Sequence, residues 1–431
     1  LNGLLTDLYE LTMAAGYFAA GKHEEIGTFE FSIRRLPRGR HFVLAAGLHK
    51  AVDYLLNLRF EVDEIAYLRG LPNFRNAHPG FWDYLAGFRF TGDVFAIPEG
   101  TVLYEGQPVL NIRAPLIEGQ LPETYLLSAI TFETLIATKA AQLVESARGR
   151  DVVEFGTRRA HTPEAGVLGA RAAYIGGCAG TSNTLAGYRY GVPVFGTAAH
   201  SWMMAFESET AAFAELQRLL GDRTVQLLDT FDTLEGARRV TQLGGPLWGV
   251  RIDSGDLAEL ARDVRRILDQ GGMTQAKIMA SGDLDEKRIR ALLDAGAPID
   301  AFGVGTELAV SGDAPSMGTI YKLVEIERDG KPRPTAKNSP DKRTLPGAKQ
   351  LFRYPEHDLL GLHDECAGGA EAMLKPYIIG GNLIRPLASL ERIRQRARLG
   401  MTPWPANNRR TELSPALQDL NERVHESVLR Y

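Results

Sequence analysis

An α/β fold is predicted, an irregular βα barrel of the TIM type with an α+β domain before it and an extension after it. Three observations carry this. From residue 151 onward, short and uniformly apolar runs recur with helical stretches between them, the pattern of parallel strands buried on both faces. Each run is followed at once by a polar or glycine-rich cluster, as the loops of a barrel's active face are. No GxGxxG follows a first strand, which disfavours the doubly wound dinucleotide fold.

The elements follow in order. Residues 6–20 read as a helix, with Asp7 and Glu10 spaced as a capping box and Leu8, Leu11, Thr12 and Ala15 at helical spacing. Residues 28–33 alternate like a strand and lead into a basic loop containing Arg34, Arg35, Arg38 and Arg40. A strand over 41–46 and a helix over 47–58 follow. The stretch 88–114 holds short strands broken by Pro98-Glu99-Gly100 and Glu105-Gly106-Gln107-Pro108, so an α+β domain is expected over 1–118. A long helix at 122–147 opens a barrel core over 119–320. Its strand cores are 152–155, 192–195, 225–228, 248–252, 277–280 and 301–304. The remainder, 321–431, begins with a hairpin turning at Asp329-Gly330 and ends in arginine-rich helices, and is expected to pack on the N-terminal domain.

Composition narrows the function. Across 431 residues, 49 Lys and Arg face 53 Asp and Glu, a net charge of −4, which provides no general field for nucleic acid or an anionic membrane. An anionic substrate must then be held by a local basic site. Cys178 and Cys366 are the only cysteines, too few for a disulfide framework or a four-cysteine zinc site, and a cytoplasmic setting is expected. The opening residues lack the basic segment of a signal peptide, and no run of 18 apolar residues predicts a membrane span.

The post-strand clusters carry the chemistry. Arg158-Arg159 offers planar forks for phosphate or carboxylate, or alternatively an ion pair to Glu154. The 303–307 segment places glycines between a strand and a helix, as phosphate loops do, or simply makes a tight turn. Asp229, Asp232, Asp253, Asp256 and Asp283 are each placed to cap a helix. Together on one rim they require arginines or Mg²⁺ to balance them. His200, in Gly-Thr-Ala-Ala-His-Ser-Trp, is a base or nucleophile if reachable and a packing residue if not. His357, Asp358, His363 and Cys366 match no standard zinc spacing and read as a solvated loop, so no protein metal centre is expected.

Seven ordered motifs then resemble one family. They are Thr6-Asp7-Leu8-Tyr9, Glu154 through Arg159, Gly196 through Ser201, Asp229-Thr230, Arg251 through Asp256, Gly303-Val304-Gly305-Thr306 and Tyr321-Lys322-Leu323. In combination they resemble the nicotinate phosphoribosyltransferases, type II phosphoribosyltransferases of NAD biosynthesis. The resemblance implies ATP-coupled transfer of phosphoribosyl from 5-phosphoribosyl 1-diphosphate to nicotinate, through a phosphohistidine at His200 and with Mg²⁺. It implies a homodimer with shared sites. Phe155 and Tyr9 would sandwich the pyridine ring, with Tyr9 coming from the second copy. Arg251 and Thr197 would hold the carboxylate, and Arg158 would lie at the diphosphate end. Ser281, Gly282, Asp283, Gly305 and Thr306 would cradle the 5′-phosphate and ribose. Asp229 and Asp253 would orient His200, bind Mg²⁺ or hold ribose hydroxyls. Arg34 would reach diphosphate or ATP phosphates.

One departure is Gly176-Gly177-Cys178-Ala179-Gly180, where the family pattern has an aromatic and an acid. Among relatives, Asn183 in place of an aspartate favours a carboxylate substrate over nicotinamide. The quinolinate enzyme is shorter and needs more cationic groups.

Overall fold

The computed structural model describes residues 3–339, 342–405 and 409–428. Two compact units emerge, one from residues 1–135 with 316–431 and the other from 136–315. The boundaries expected at 118 and 320 thus shift to 135 and 316. The first falls inside the continuous helix Glu123–Ser146, which offers no break in sequence pattern.

In the first unit, strand pairing explains why the C-terminal segment joins the N-terminal one. A seven-stranded sheet, antiparallel at every pairing, runs Lys331–Pro334, Gly318–Arg328, Ile26–Arg35, Pro108–Pro115, Asp93–Ala96, Lys375–Ile379, Asn382–Leu383. Strands from beyond residue 316 therefore flank the N-terminal strands on both sides. Ile26–Arg35 is buried almost throughout, not on alternate residues, because both faces of this central strand are covered. Phe29, Phe31, Leu110, Ile112, Tyr321 and Ile378 share its core. The hairpin turns at Asp329 and Gly330, both at positive φ, as a two-residue primed turn demands.

Several local expectations change. Asp7 stands at the N-cap of Leu8–Ala19 but its side chain makes no capping bond. Its carboxylate instead accepts from the Thr124 hydroxyl at 2.6 Å. The strand expected over 41–46 shortens to Val43–Leu44. Lys349 leaves the basic loop to lie fully buried against Glu30 at 3.2 Å. Asp358 is buried with Arg353 and Arg409, each at hydrogen-bond distance, while His363 packs on Phe95 and Cys366 is exposed. These residues form no metal cluster.

The second unit is a curled, wholly parallel sheet ordered Gly180–Thr181, Asp151–Glu154, Ala301–Val304, Lys277–Ala280, Gly249–Ile252, Val225–Leu227. Helices of the connecting segments supply its crossovers. The second strand expected at 192–195 is not formed. Gly180–Thr181 takes that place, and Val194 adds only a single parallel bridge to Thr181. No pairing between Val194 and Val225–Leu227 closes the sheet, so it is an open half-barrel. Val153, Met279 and Ala301 pack together on one face with Phe155 and Trp248. Val152, Val250, Ile278 and Phe302, the alternating set, are buried as well.

Candidate active site

The strand ends of the second unit open into a cleft of about 780 Å³. Strand periodicity selects what faces it. Side chains two apart share a face, so Phe155 continues from Val153, and Ser281 from Met279. The register sets Arg251 beside Met279, so Arg251 and, two residues on, Asp253 join the same face. All four line the cleft. An apolar floor thus leads to a polar rim with no change of strand.

Arg251 is largely buried and already held before any ligand arrives. Its Nη1 donates to the Thr197 hydroxyl and its Nη2 lies 3.3 Å from Asp253 Oδ1. Its Nε is buried with no hydrogen-bond partner. Asp253 also accepts from the Ser281 hydroxyl, and its Oδ2 lies 3.9 Å from His200 Nε2. His200 opens the helix His200–Met204, and its Nδ1 is 3.1 Å from the Thr230 hydroxyl. The imidazole is therefore anchored at Nδ1, while Nε2 faces Asp253 beyond hydrogen-bond distance and stays reachable, the side chain being 38% exposed. Thr230, not Asp229, is its near partner.

Glycines let the other loops approach. Gly282 has φ +90°, and a Cβ there would overlap the Asp253 carbonyl. A Cβ on Gly303 would lie 2.6 Å from the Phe155 ring, so the bare backbone gives that ring its seat. Asp283, also at positive φ, and Gly305-Thr306 complete the rim, and Arg288 donates to the Gly282 carbonyl at 3.1 Å. Arg158 and Arg159 line the cleft and are exposed. The ion pair to Glu154 is not made, because Glu154 accepts from the Thr181 hydroxyl at 2.5 Å and from the Gly156 N–H. Burial pushes the Glu154 carboxyl above its usual range.

The cleft gathers Phe155, Arg158, Thr197, His200, Arg251, Asp253, Ser281, Gly282, Asp283, Gly305 and Thr306. Asp229 stands behind it. Its Oδ2 accepts from Ser254 Oγ at 2.5 Å and the Asp253 N–H at 3.2 Å, so it supports the Asp253 loop. Asp232 and Asp256 cap helices, the simpler of their two readings. Tyr9 and Arg34 belong to the first unit. Tyr9 is half exposed, and burial together with Glu123 and Glu10 raises its phenol.

Asn183 caps the helix Thr184–Tyr190 and donates to Thr157 at 3.0 Å. It does not line the cleft, so, contrary to the expectation from sequence, it does not select between a carboxylate and a carboxamide there. Cys178 of the divergent loop is fully buried. Sequence reasoning missed Thr230, Ser182, Thr184 and Phe195. A hydroxyl or an aromatic beside a strand end was the available signal.

Comparison with known proteins agrees with this geometry. Residues 4–131 match the family model for the nicotinate phosphoribosyltransferase N-terminal domain, and residues 151–344 match that for the nicotinate phosphoribosyltransferase family. A nicotinate phosphoribosyltransferase of Mycobacterium tuberculosis, pncB2, is 45% identical over 424 residues, covering 96% of this chain and 89% of the relative. That of Bacillus subtilis is 43% identical over 378 residues, covering 84% and 76%. The crystal structure of human nicotinic acid phosphoribosyltransferase superposes with a TM-score of 0.85 at 29% identity, covering 98% of this chain and 100% of that one. With family models spanning most of its length and relatives this similar, the chain belongs to the nicotinate phosphoribosyltransferase family.

Proposed function

We propose that this chain makes nicotinate mononucleotide and diphosphate from nicotinate and 5-phosphoribosyl 1-diphosphate, a step of NAD biosynthesis, and couples it to ATP hydrolysis through a phosphohistidine at His200. The observation that carries the reading is the constellation of Arg251, Thr197, Asp253 and His200 in one cleft with the Phe155 ring, at the strand ends.

The pyridine ring lies against Phe155, where offset stacking suits an electron-poor aromatic. Its carboxylate meets Arg251, whose buried Nε supports this because it has no protein acceptor. The Gly282-Asp283 and Gly305-Thr306 loops take the 5′-phosphate and ribose. Arg158 and Arg159 take the diphosphate. The bond from C1′ to the diphosphate oxygen breaks and its electron pair leaves with diphosphate. The pyridine nitrogen supplies the pair for the new bond to C1′. What the residues contribute is alignment and charge neutralisation.

Asp253 and Asp283 offer hard carboxylate oxygens on the cleft, and Asp229 keeps a buried Oδ1 without a hydrogen-bond partner. Among the described residues these three carboxylates do not converge on one point, so Mg²⁺ would be held by one or two of them together with diphosphate oxygens and water. Bound with the diphosphate, Mg²⁺ would neutralise the charge of the leaving group. For the ATP step, a ring nitrogen of His200 accepts the γ-phosphoryl group and ADP departes with the electron pair of the broken bond. Water later releases inorganic phosphate. Tyr9 and Arg34 are assigned to the cleft of a second copy in a homodimer, completing the ring sandwich and the phosphate contacts.

The test is incubation with γ-labelled ATP and quenching at alkaline pH, where phosphohistidine survives. Label is expected on the peptide holding His200 and not in His200→Ala, which retains slow ATP-independent transfer. Equal labelling of His200→Ala refutes the assignment.

A further inference from the structure

Lys139, on the helix Glu123–Ser146, is 1% exposed and has no part in the reaction described so far. Its ammonium reaches Glu286 at 2.7 Å, Asp313 at 2.9 Å and Glu307 at 3.6 Å. These carboxylates come from separate segments. Glu286 opens the helix that follows Ser281-Gly282-Asp283. Glu307 follows Thr306 directly, and Asp313 lies just beyond the same short helix. The tie at Glu307 is close-fitting, since a Cβ on Gly312 would overlap that carboxylate. One buried cation therefore fastens, from behind, the two loops placed at the 5′-phosphate.

We infer that Lys139 is a positioning residue for the phosphoribosyl donor, holding the Gly282-Asp283 and Gly305-Thr306 loops at the spacing that takes the 5′-phosphate. The inference rests on the proposed assignment of those loops. Three carboxylates gathered at one point repel one another and any incoming phosphate unless the cation stands among them. Without it the two loops part and the donor end of the cleft becomes more negative. Arg251, Thr197 and Phe155 make no hydrogen bond or ion pair to this cluster and are linked to it only indirectly, through Ser281 and Asp253, so the nicotinate end is disturbed far less. The signature is a loss much larger for the donor than for nicotinate.

The experiment compares full-length wild type, Lys139→Met and Lys139→Arg in steady-state kinetics with each substrate varied. Ribose 5-phosphate serves as the competitive probe of the donor site. Lys139→Met is expected to raise the donor KM and the ribose 5-phosphate inhibition constant about tenfold or more, with the nicotinate KM within about twofold. Lys139→Arg restores most of the difference. If Lys139→Met does not fold, Lys139→Met with Glu286→Gln removes the unbalanced charge together with the tie, and the same donor-selective rise is expected. A variant of lowered Tm or kcat with unchanged donor KM and inhibition constant overturns the inference.

Gly282→Ala reads the underlying assignment. If it leaves donor KM and inhibition constant unchanged, the loops do not hold the phosphate and both readings fall. If it raises them and Lys139→Met does not, only the positioning role falls.

Discussion

Arg251→Ala removes the cation assigned to the substrate carboxylate, and the structure sets the size of the effect. The Arg251 side chain is 12% exposed, so its charge is only partly screened. At about 4 Å and an effective dielectric near 20, a pair of unit charges is worth about 4 kcal/mol. Thr197 and Asp253 hold the guanidinium in place beforehand, so little ordering cost offsets this. Asp253 is itself 29% exposed, and water entering the vacated space reduces the loss. A range of about 2–4 kcal/mol follows, or roughly a 30- to 700-fold weakening of nicotinate binding. Removal also leaves Asp253 without its cation, which adds repulsion to any anion. Nicotinamide has the same ring and no charge, so its binding should change by less than about threefold. Titration calorimetry with both ligands is the assay, with thermal unfolding as the control for folding. Equal weakening of the two ligands, or unchanged nicotinate binding in a folded variant, would refute the carboxylate role.

Three further outcomes are expected. Gly282→Ala adds a Cβ at φ +90° against the Asp253 carbonyl, and should cost about 1–2 kcal/mol in denaturant unfolding from backbone conformation alone. Glu10 is wholly buried, and burial first, with Glu123 adding, pushes its carboxyl up to about 7 from 4.5. The folded state then binds more protons than the unfolded one between those values, so stability falls as pH rises from about 4.5 to 7. The loss is on the order of 2 kcal/mol and Glu10→Gln should remove it from urea midpoints measured at pH 5 and 8. Mixing Tyr9→Ala with Arg251→Ala protein, each inactive alone, should recover part of the activity through one intact shared site. No recovery despite demonstrated subunit exchange would place Tyr9 outside the second copy's cleft.

Much of the site was legible because its information is local. A short apolar run ended by Phe155-Gly156-Thr157-Arg158, or by Arg251-Ile252-Asp253-Ser254-Gly255, encodes both a buried strand and the side chains at its end. Alternation then fixes which residues share the cleft face once the strands are in register. The roles of the aspartates were not legible. Asp229, Asp232, Asp253 and Asp256 are the same residue type at similar offsets. Yet two cap helices, one supports a loop and one lines the cleft.

The sequence by itself determined that the chain carries parallel strands with polar loops at their ends, which motifs those loops contain, and which family they resemble. Apolar periodicity and turn chemistry act over a few residues, and that range suffices. Tertiary structure decided whatever depends on pairing between distant segments. It seated Gly180–Thr181, not 192–195, beside Asp151–Glu154, because a strand is defined by its partner as much as by its own residues. It drew the residues beyond 316 into the N-terminal sheet. It gave His200 to Thr230, 30 positions away, and it turned Lys139 from a lone charge in an apolar helical run into a junction of three carboxylates. A buried charge is tolerated only where its partners converge, and that convergence is written in no single stretch of the chain.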